Sequence, residues 1–314
     1  MVIKIGTDCS GIEAPIEALK QLNIPFEHTF SCEKDPYALQ SIKANYEPQK
    51  IYTDITKRKH SLLPDIDVYV CGFPCQPFSL MGNKLGTDDA RSNIMFSCIK
   101  VIQRKLPKIF ILENVKNFKF IQEGAPFNYL IKTLKNIKTI EKECACNAYN
   151  VYYDILNTKD YGIPQNRERI FIIGIRKDVQ KEEYTTPEKI KMKPLDDFIL
   201  DKTIYQNEPK CNARKIITKY NLNLNKNYIF PNSNYVNPIK NMSPTLSTRC
   251  DMFFHSTYNR YLSYQECLLL QGFKKDFKKV VSNTQMFKQI GNSMSVNVLK
   301  ALFKKIFKIT NVIT

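Results

Sequence analysis

Histidine is scarce in this 314-residue chain, with only three present. A histidine-built metal centre and a Ser-His-Asp triad both draw on imidazoles, so both chemistries are disfavoured. Ten cysteines occur, yet no CxxC pair; Cys144 and Cys146 stand one residue apart, with no His-rich partner segment nearby. No metal is therefore expected. The opening MVIKIGTDCSG lacks the apolar core and cleavage site of a secretory signal. The cysteines are then expected to be free thiols in a reducing, intracellular compartment, with cytoplasm and nucleus not distinguished. The longest apolar runs, IFIL at 109–112 and IFII at 170–173, are strand-sized. They fall far short of the roughly 20 residues that span a bilayer, so no membrane partner is expected. The dinucleotide fingerprint GxGxxG is absent, which argues against a nicotinamide oxidoreductase. No internal repeat is evident.

Acidic residues are in the minority: 30 against 47 basic ones, a formal net charge of +17. Such an excess suits an anionic partner, nucleic acid first. A Lys-rich solvated surface is the competing explanation, in keeping with frequent Lys, Asn and Ile. Hydrophobic residues make up 43% of the chain, enough for a core. The length allows one large domain or two moderate ones.

The first 176 residues alternate between strand and helix patterns. Strands are expected at 2–7, 29–32, 51–55, 68–71, 109–112, 151–156 and 170–175. Helices are expected at 14–22, 36–46, 92–105 and 127–138, with later ones at 264–271 and 295–307. This alternation predicts an α/β fold with a doubly wound sheet, whose strand ends carry the functional groups. From 177 to 253 the chain turns rich in Lys, Asn, Tyr and Pro with little periodicity, and reads as a smaller irregular domain.

The chain is organised around GFPCQPFS at 72–79. Pro74 and Pro77 bracket Cys75 and Gln76, and two fixed φ angles without amide donors make a stiff loop just past a strand end. A cysteine is usually an inert, buried small hydrophobe. In a rigid loop at a strand end it reads as a nucleophile. Other strand ends carry Gly11, Glu33, Asp54 and Glu113, and YGIPQNRER (161–169) leads into the strand at 170. A thiolate can add to C6 of a pyrimidine and make C5 carbanion-like. A carboxyl group at N3 and an arginine at O2 would stabilise the charge that develops.

These segments resemble the cytosine-C5 DNA methyltransferases that use S-adenosylmethionine. GFPCQPFS matches the nucleophile block, LENV (112–115) the glutamate block and QNRER (165–169) the QxRxR block. RYLSYQECLLLQGF (260–273) resembles the block after the target-recognition region, and QIGNSMSV (289–296) the last block. They follow the family order across nearly the whole chain. The resemblance implies a Rossmann-like catalytic domain and a covalent mechanism with Cys75 as nucleophile. Gln76 and Glu113 join Cys75 in the catalytic set, Arg169 holds the base O2, and Arg167 supports the site. It implies an S-adenosylmethionine pocket formed by Ser10, Gly11, Ile12, Glu33, Lys34, Asp54, Ile55, Gly72, Pro74, Asn292, Ser293 and Val296. Glu33 would take the ribose hydroxyls and Asp54 the adenine amine. The first block departs from the family form D-L-F-x-G-x-G-G: Cys9 stands where an aromatic is common, Glu13-Ala14 replaces a glycine pair, and Asp8 is out of register.

The expected division is a catalytic domain of residues 1–178 plus 285–314 and a target-recognition domain of 179–284. Double-stranded DNA is the expected partner, bound by a monomer. Leu262, Leu268 and Leu269 are expected in the core. Two alternatives share the same motifs: a tRNA cytosine methyltransferase and a catalytically inactive nucleic-acid-binding relative. The CFT signature of the RNA-modifying branch is absent, and no catalytic residue is missing.

Overall fold

The structure, a computed structural model, describes residues 2–74, 92–141, 144–206, 211–223, 226–231 and 237–313. In chain order the strands are β1 (Ile3–Asp8), β2 (Phe26–Cys32), β3 (Lys50–Tyr52), β4 (Val68–Cys71), β5 (Ile109–Val115), β6 (Lys138–Glu141), β7 (Cys144–Asn147), β8 (Tyr149–Asn157), β9 (Gln165–Asn166), β10 (Glu168–Arg176), β11 (Tyr228–Pro231), β12 (Ile239–Lys240), β13 (Ser243–Pro244), β14 (Phe253–His255) and β15 (Arg260–Tyr261). The helices are α1 (Ala14–Gln21), α2 (Pro36–Asn45), α3 (Ser92–Lys105), α4 (Ala125–Lys135), α5 (Cys211–Lys219), α6 (Tyr264–Leu270), α7 (Asn283–Asn292) and α8 (Val296–Lys308).

The main sheet has seven strands in the order β3-β2-β1-β4-β5-β10-β8. Neighbours from β3 to β5 pair parallel, while β10 runs antiparallel to both β5 and β8. Alternate residues of the central strands face opposite layers, as the period of two requires. Val68, Val70, Ile109 and Ile111 pack with α1, α7 and α8; Tyr69, Cys71, Phe110 and Leu112 pack with α3 and α4. Burial on both faces is why these strands read as continuous apolar runs rather than alternating ones. The strand order reverses at β1 and β4, the topological switch point where open α/β sheets bind ligands.

Local chemistry sets the helix starts. Asp35 caps α2, accepting from the amides of Tyr37 and Ala38. Ser263 and Glu266 form a capping box at α6. Buried residues at helical spacing, among them Leu299, Leu302, Phe303 and Ile306, hold α8 against the sheet.

Several elements differ from the sequence expectation. The third strand stops at Tyr52, leaving Asp54 in the following turn. The helix expected to reach 138 ends at Lys135, and a hairpin of β6 and β7 follows. No helix is expected between 271 and 295, yet α7 forms at Asn283–Asn292 and ends in QIGN. The segment with little periodicity holds α5 and part of a second sheet, β12-β11-β14-β15. These enclose a small core of their own, with Ala213 and Ile216 against Phe230 and Phe254. Leu262 and Leu268 are buried core residues and Leu269 is half-buried. Among the described residues no helix is long and apolar enough to cross a membrane.

Candidate active site

The carboxyl ends of β1, β2, β4 and β5 reach the same edge of the sheet. Because β10 is antiparallel, its start meets that edge too: Arg169 pairs in register with Val115 at the end of β5. This is why QNRER precedes its strand whereas the other functional segments follow theirs. A cavity of about 700 Å³ opens here, and Gly11, Glu33, Asp54, Gly72, Glu113 and Asn292 all line it. Lys34, Ile55, Pro74, Arg167 and Arg169 line it as well. Ser10 and Ser293 line a smaller recess that shares Gly11, Gly72, Glu113 and Asn292 with the main cavity. Two residues expected in the pocket are elsewhere. Ile12 and Val296 are fully buried in the core and line neither space, because each starts or precedes a helix whose apolar face turns inward. Cys75 and Gln76 lie outside the described residues.

At one end of the cavity, Gly11 takes a left-handed conformation (φ +56°), and among the described residues a Cβ there would meet no atom within 4 Å beyond its chain neighbours. Its amide donates to Glu33 Oε2 at 2.8 Å, while the amides of Lys34 and Asp35 donate to Glu33 Oε1 at 2.8 and 2.9 Å. Burial raises the Glu33 carboxyl pKa, opposed by those three amides. Asp54 Oδ1 accepts from the Thr56 amide and hydroxyl, at 2.9 and 2.7 Å; the hydroxyl is the main reason its pKa is lowered. Gln289 Oε1 accepts from Ser41, but its buried Nε2 has no partner among the described residues. Carboxylates just past β2 and β3 and an open flank at Gly11 fit a nucleoside linked to an amino-acid moiety.

Beneath this end lies a buried ion pair that sequence reasoning did not find. Asp8 Oδ2 accepts from Arg58 Nη2, and from the Tyr69 hydroxyl at 2.6 Å. The Arg58 guanidinium sits 5.1 Å from the ring centroids of both Phe30 and Tyr52. The pair ties the end of β1 to the turn that carries Asp54. Burial holds the Asp8 carboxyl above its ordinary range despite Arg58 and Tyr69.

At the other end, Arg169 Nε stands 3.3 Å from Glu113 Oε1. Burial raises the pKa of Glu113, against the pull of Arg169 and Arg167, and lowers that of Arg169. Arg167 is almost wholly buried and donates to the carbonyls of Leu246 (2.9 Å), Gly291 (3.2 Å) and Ser293 (2.7 Å). Burial pushes its guanidinium down to about 9. Asn114 also went unnoticed in the sequence: its Nδ2 donates to the Phe73 carbonyl at 3.1 Å, fixing the chain just before Pro74. A Cβ on Gly72 would lie 2.7 Å from Met294 Cε, the end of a flexible side chain, and in ordinary contact, 3.6 Å, with Glu113 Oε2.

The family profile described as C-5 cytosine-specific DNA methylase matches residues 3–308. The chain belongs to that family. This methylase is 33% identical over 289 residues to the Type II methyltransferase M.BsuFI of Bacillus subtilis, covering 87% of its own length and 65% of that protein's. It is 34% identical over 292 residues to the Type II methyltransferase M.SsoII of Shigella sonnei, covering 88% and 73%. The methylase thus spans about two thirds to three quarters of the length of these two relatives. Its fold is that of the S. pombe Dnmt2 methyltransferase crystal structure, with a TM-score of 0.67 at 17% identity over 98% of this chain and 99% of that one. In the methylase the Glu113–Arg169 pair sits at the end of β5 and the start of β10.

Proposed function

We propose that the protein transfers a methyl group from S-adenosylmethionine to C5 of cytosine in double-stranded DNA, with Cys75 as the nucleophile. The observation that carries the reading is the buried Glu113–Arg169 pair opening into the same cavity as Gly11, Glu33 and Asp54. Bound S-adenosylmethionine would supply an electrophilic methyl group on a sulfonium, leaving as the thioether. Glu33 and Asp54 offer acceptors for ribose and adenine, and the recess at Gly11 and Asn292 offers room for the methionine part.

The chain's own residues do the rest. Cys75 Sγ bonds to C6 and the C5–C6 π electrons become available at C5. Glu113, whose carboxyl pKa burial raises, gives its proton to N3, while Arg169 donates to O2 as charge develops there. After C5 has taken the methyl group it loses its proton to a base, the Sγ–C6 bond breaks to restore the ring and the thiolate, and N3 returns its proton to Glu113. The cytosine must leave the duplex stack, at a cost of a few kcal/mol. In this reading residues 1–178 and 285–314 form the catalytic domain and 179–284 the target-recognition domain, with DNA in the cleft between them.

Labelled methyl transfer to duplex DNA and to purified tRNA, by wild type and by Cys75→Ser, tests the proposal. Wild type should label DNA and leave tRNA unlabelled; the variant should fold and label neither. Turnover by the variant at the wild-type rate would overturn the nucleophile, and labelling of tRNA alone would overturn the substrate.

A further inference from the structure

The turn that bears Gly11 is held from below by a side chain that lines neither cavity. Glu13 is fully buried, at the N-cap of α1, with a left-handed backbone (φ 61°, ψ 46°) that glycine adopts readily and other residues rarely. A Glu at such a position is kept there by what its side chain does. Glu13 Oε1 accepts from the Thr7 hydroxyl at 2.7 Å and from the Ser31 hydroxyl at 2.6 Å. His28 Nε2 stands 2.9 Å from Ser31 Oγ and 3.5 Å from the same carboxylate oxygen. One carboxylate thus joins β1, β2 and the start of α1.

The network continues to the cavity. Thr7 Oγ1 lies 2.8 Å from Ser10 Oγ, and that oxygen accepts from the Cys32 amide at 3.2 Å. The Glu13 amide donates to the Ser10 carbonyl at 2.9 Å, closing the turn around Gly11. The far side of the turn is held by the Gly11 amide on Glu33. We infer that Glu13 is a positioning residue for the cofactor turn, acting through Thr7 and Ser10 on Gly11 and so on affinity for S-adenosylmethionine. The inference rests on the proposed cofactor reading of the cavity.

Three variants separate backbone from side chain. Glu13→Gly accepts the left-handed backbone but removes the carboxylate. Glu13→Gln keeps an Oε1 acceptor for both hydroxyls. Thr7→Val removes the hydroxyl that joins Glu13 to Ser10 while leaving the backbone and carboxylate of residue 13 in place. Each is measured for S-adenosylmethionine binding by calorimetry, for thermal melting, and for kcat and both KM values in DNA methylation.

Glu13→Gly should weaken cofactor binding by at least about tenfold, as loss of charge-assisted hydrogen bonds that order a binding turn would. Thr7→Val should weaken it by about three- to tenfold through loss of one hydroxyl link. Glu13→Gln should stay within about threefold, its acceptor retained. In all three the KM for DNA, and kcat at saturating cofactor, should stay within about threefold of wild type, because the reacting pair is untouched. A residue that merely stabilises the fold would lower the melting temperature and leave cofactor affinity alone. That outcome overturns the inference, and so does loss of affinity in Glu13→Gln equal to that in Glu13→Gly. If wild type itself fails to bind S-adenosylmethionine, the cofactor reading falls and the inference with it. If wild type binds and Glu13→Gly and Thr7→Val bind equally well, only the inference falls.

Discussion

Replacing Arg58 by Met tests whether the Asp8–Arg58 pair holds the cavity floor. Met keeps an apolar stem against Phe30 and Tyr52 but removes the charge. The Asp8 side chain is fully buried and that of Arg58 is 6% exposed, so solvent cannot compensate. Breaking one side of a buried pair costs about 3–5 kcal/mol, because the remaining charge stays buried and unmatched. The Asp8→Asn, Arg58→Met double variant removes both charges. It should recover all but about 1–2 kcal/mol, the share belonging to the cation–ring contacts. The pH dependence has a definite sign. Burial raises the folded-state pKa of Asp8 above its unfolded value, so stability is lost as pH rises through the folded pKa. Without Arg58 that pKa rises further. The penalty in Arg58→Met should therefore be largest near neutral pH and shrink as the pH falls. Urea unfolding followed by circular dichroism at neutral and mildly acidic pH measures all three quantities. An Arg58→Met variant within about 1 kcal/mol of wild type would refute the reasoning, since a broken buried pair cannot cost so little. A double variant no more stable than the single, or a penalty that grows with acidity, would refute it too.

Glu113→Gln should lower kcat by about 10²–10⁴-fold, the range for a general acid. Because burial raises the Glu113 pKa, its ionisation should depress wild-type kcat as pH rises; the same alkaline fall persisting in the Gln variant would remove Glu113 from the acid role. A Cβ on Gly291 would lie 2.2 Å from the Ser247 carbonyl group, backbone that cannot swing away. Gly291→Ala should then cost about 1–3 kcal/mol, and an unchanged melting temperature would count against the close approach. With a small recognition element and base contacts worth about 1–3 kcal/mol each, the target should be short, about two to four base pairs. Bisulfite sequencing that finds six or more specified bases would exclude this. DNA affinity should fall steeply with added salt, and a flat titration would mean the +17 charge does not face the DNA.

The strand-end logic of the catalytic half was legible because it depends on short-range pattern. A buried strand followed by Gly11, by Glu33 or by Glu113 puts those residues at one edge whatever the loops do. The supports beneath them were not legible. Asp8 and Arg58 are 50 positions apart, and nothing in a carboxylate at the end of one strand names the arginine that crosses under it. Glu13 read as a departure from a glycine pattern; that its carboxylate joins two strands depends on the register of β1 against β2. The β6–β7 hairpin and α5 escaped for a different reason. Their apolar residues are few and their stabilising faces are supplied by distant segments, as Phe230 and Phe254 are for Ala213 and Ile216. The helix that ends in QIGN was not expected for want of a long apolar period, yet Ser282 caps it.

Arg167 holds the carbonyls of Gly291 and Ser293 at the cofactor end, while two residues on Arg169 faces Glu113 at the base end. Arg167 and Arg169 lie on one short stretch of chain, so tightening of the 291–293 turn by an occupied cofactor recess would reach the start of β10 through Arg167. Linkage is then reciprocal: the factor by which S-adenosylmethionine strengthens DNA binding must equal the factor by which DNA strengthens S-adenosylmethionine binding. Titrations in both orders should give one common factor greater than one in wild type. A factor of one would show that the clamp transmits nothing.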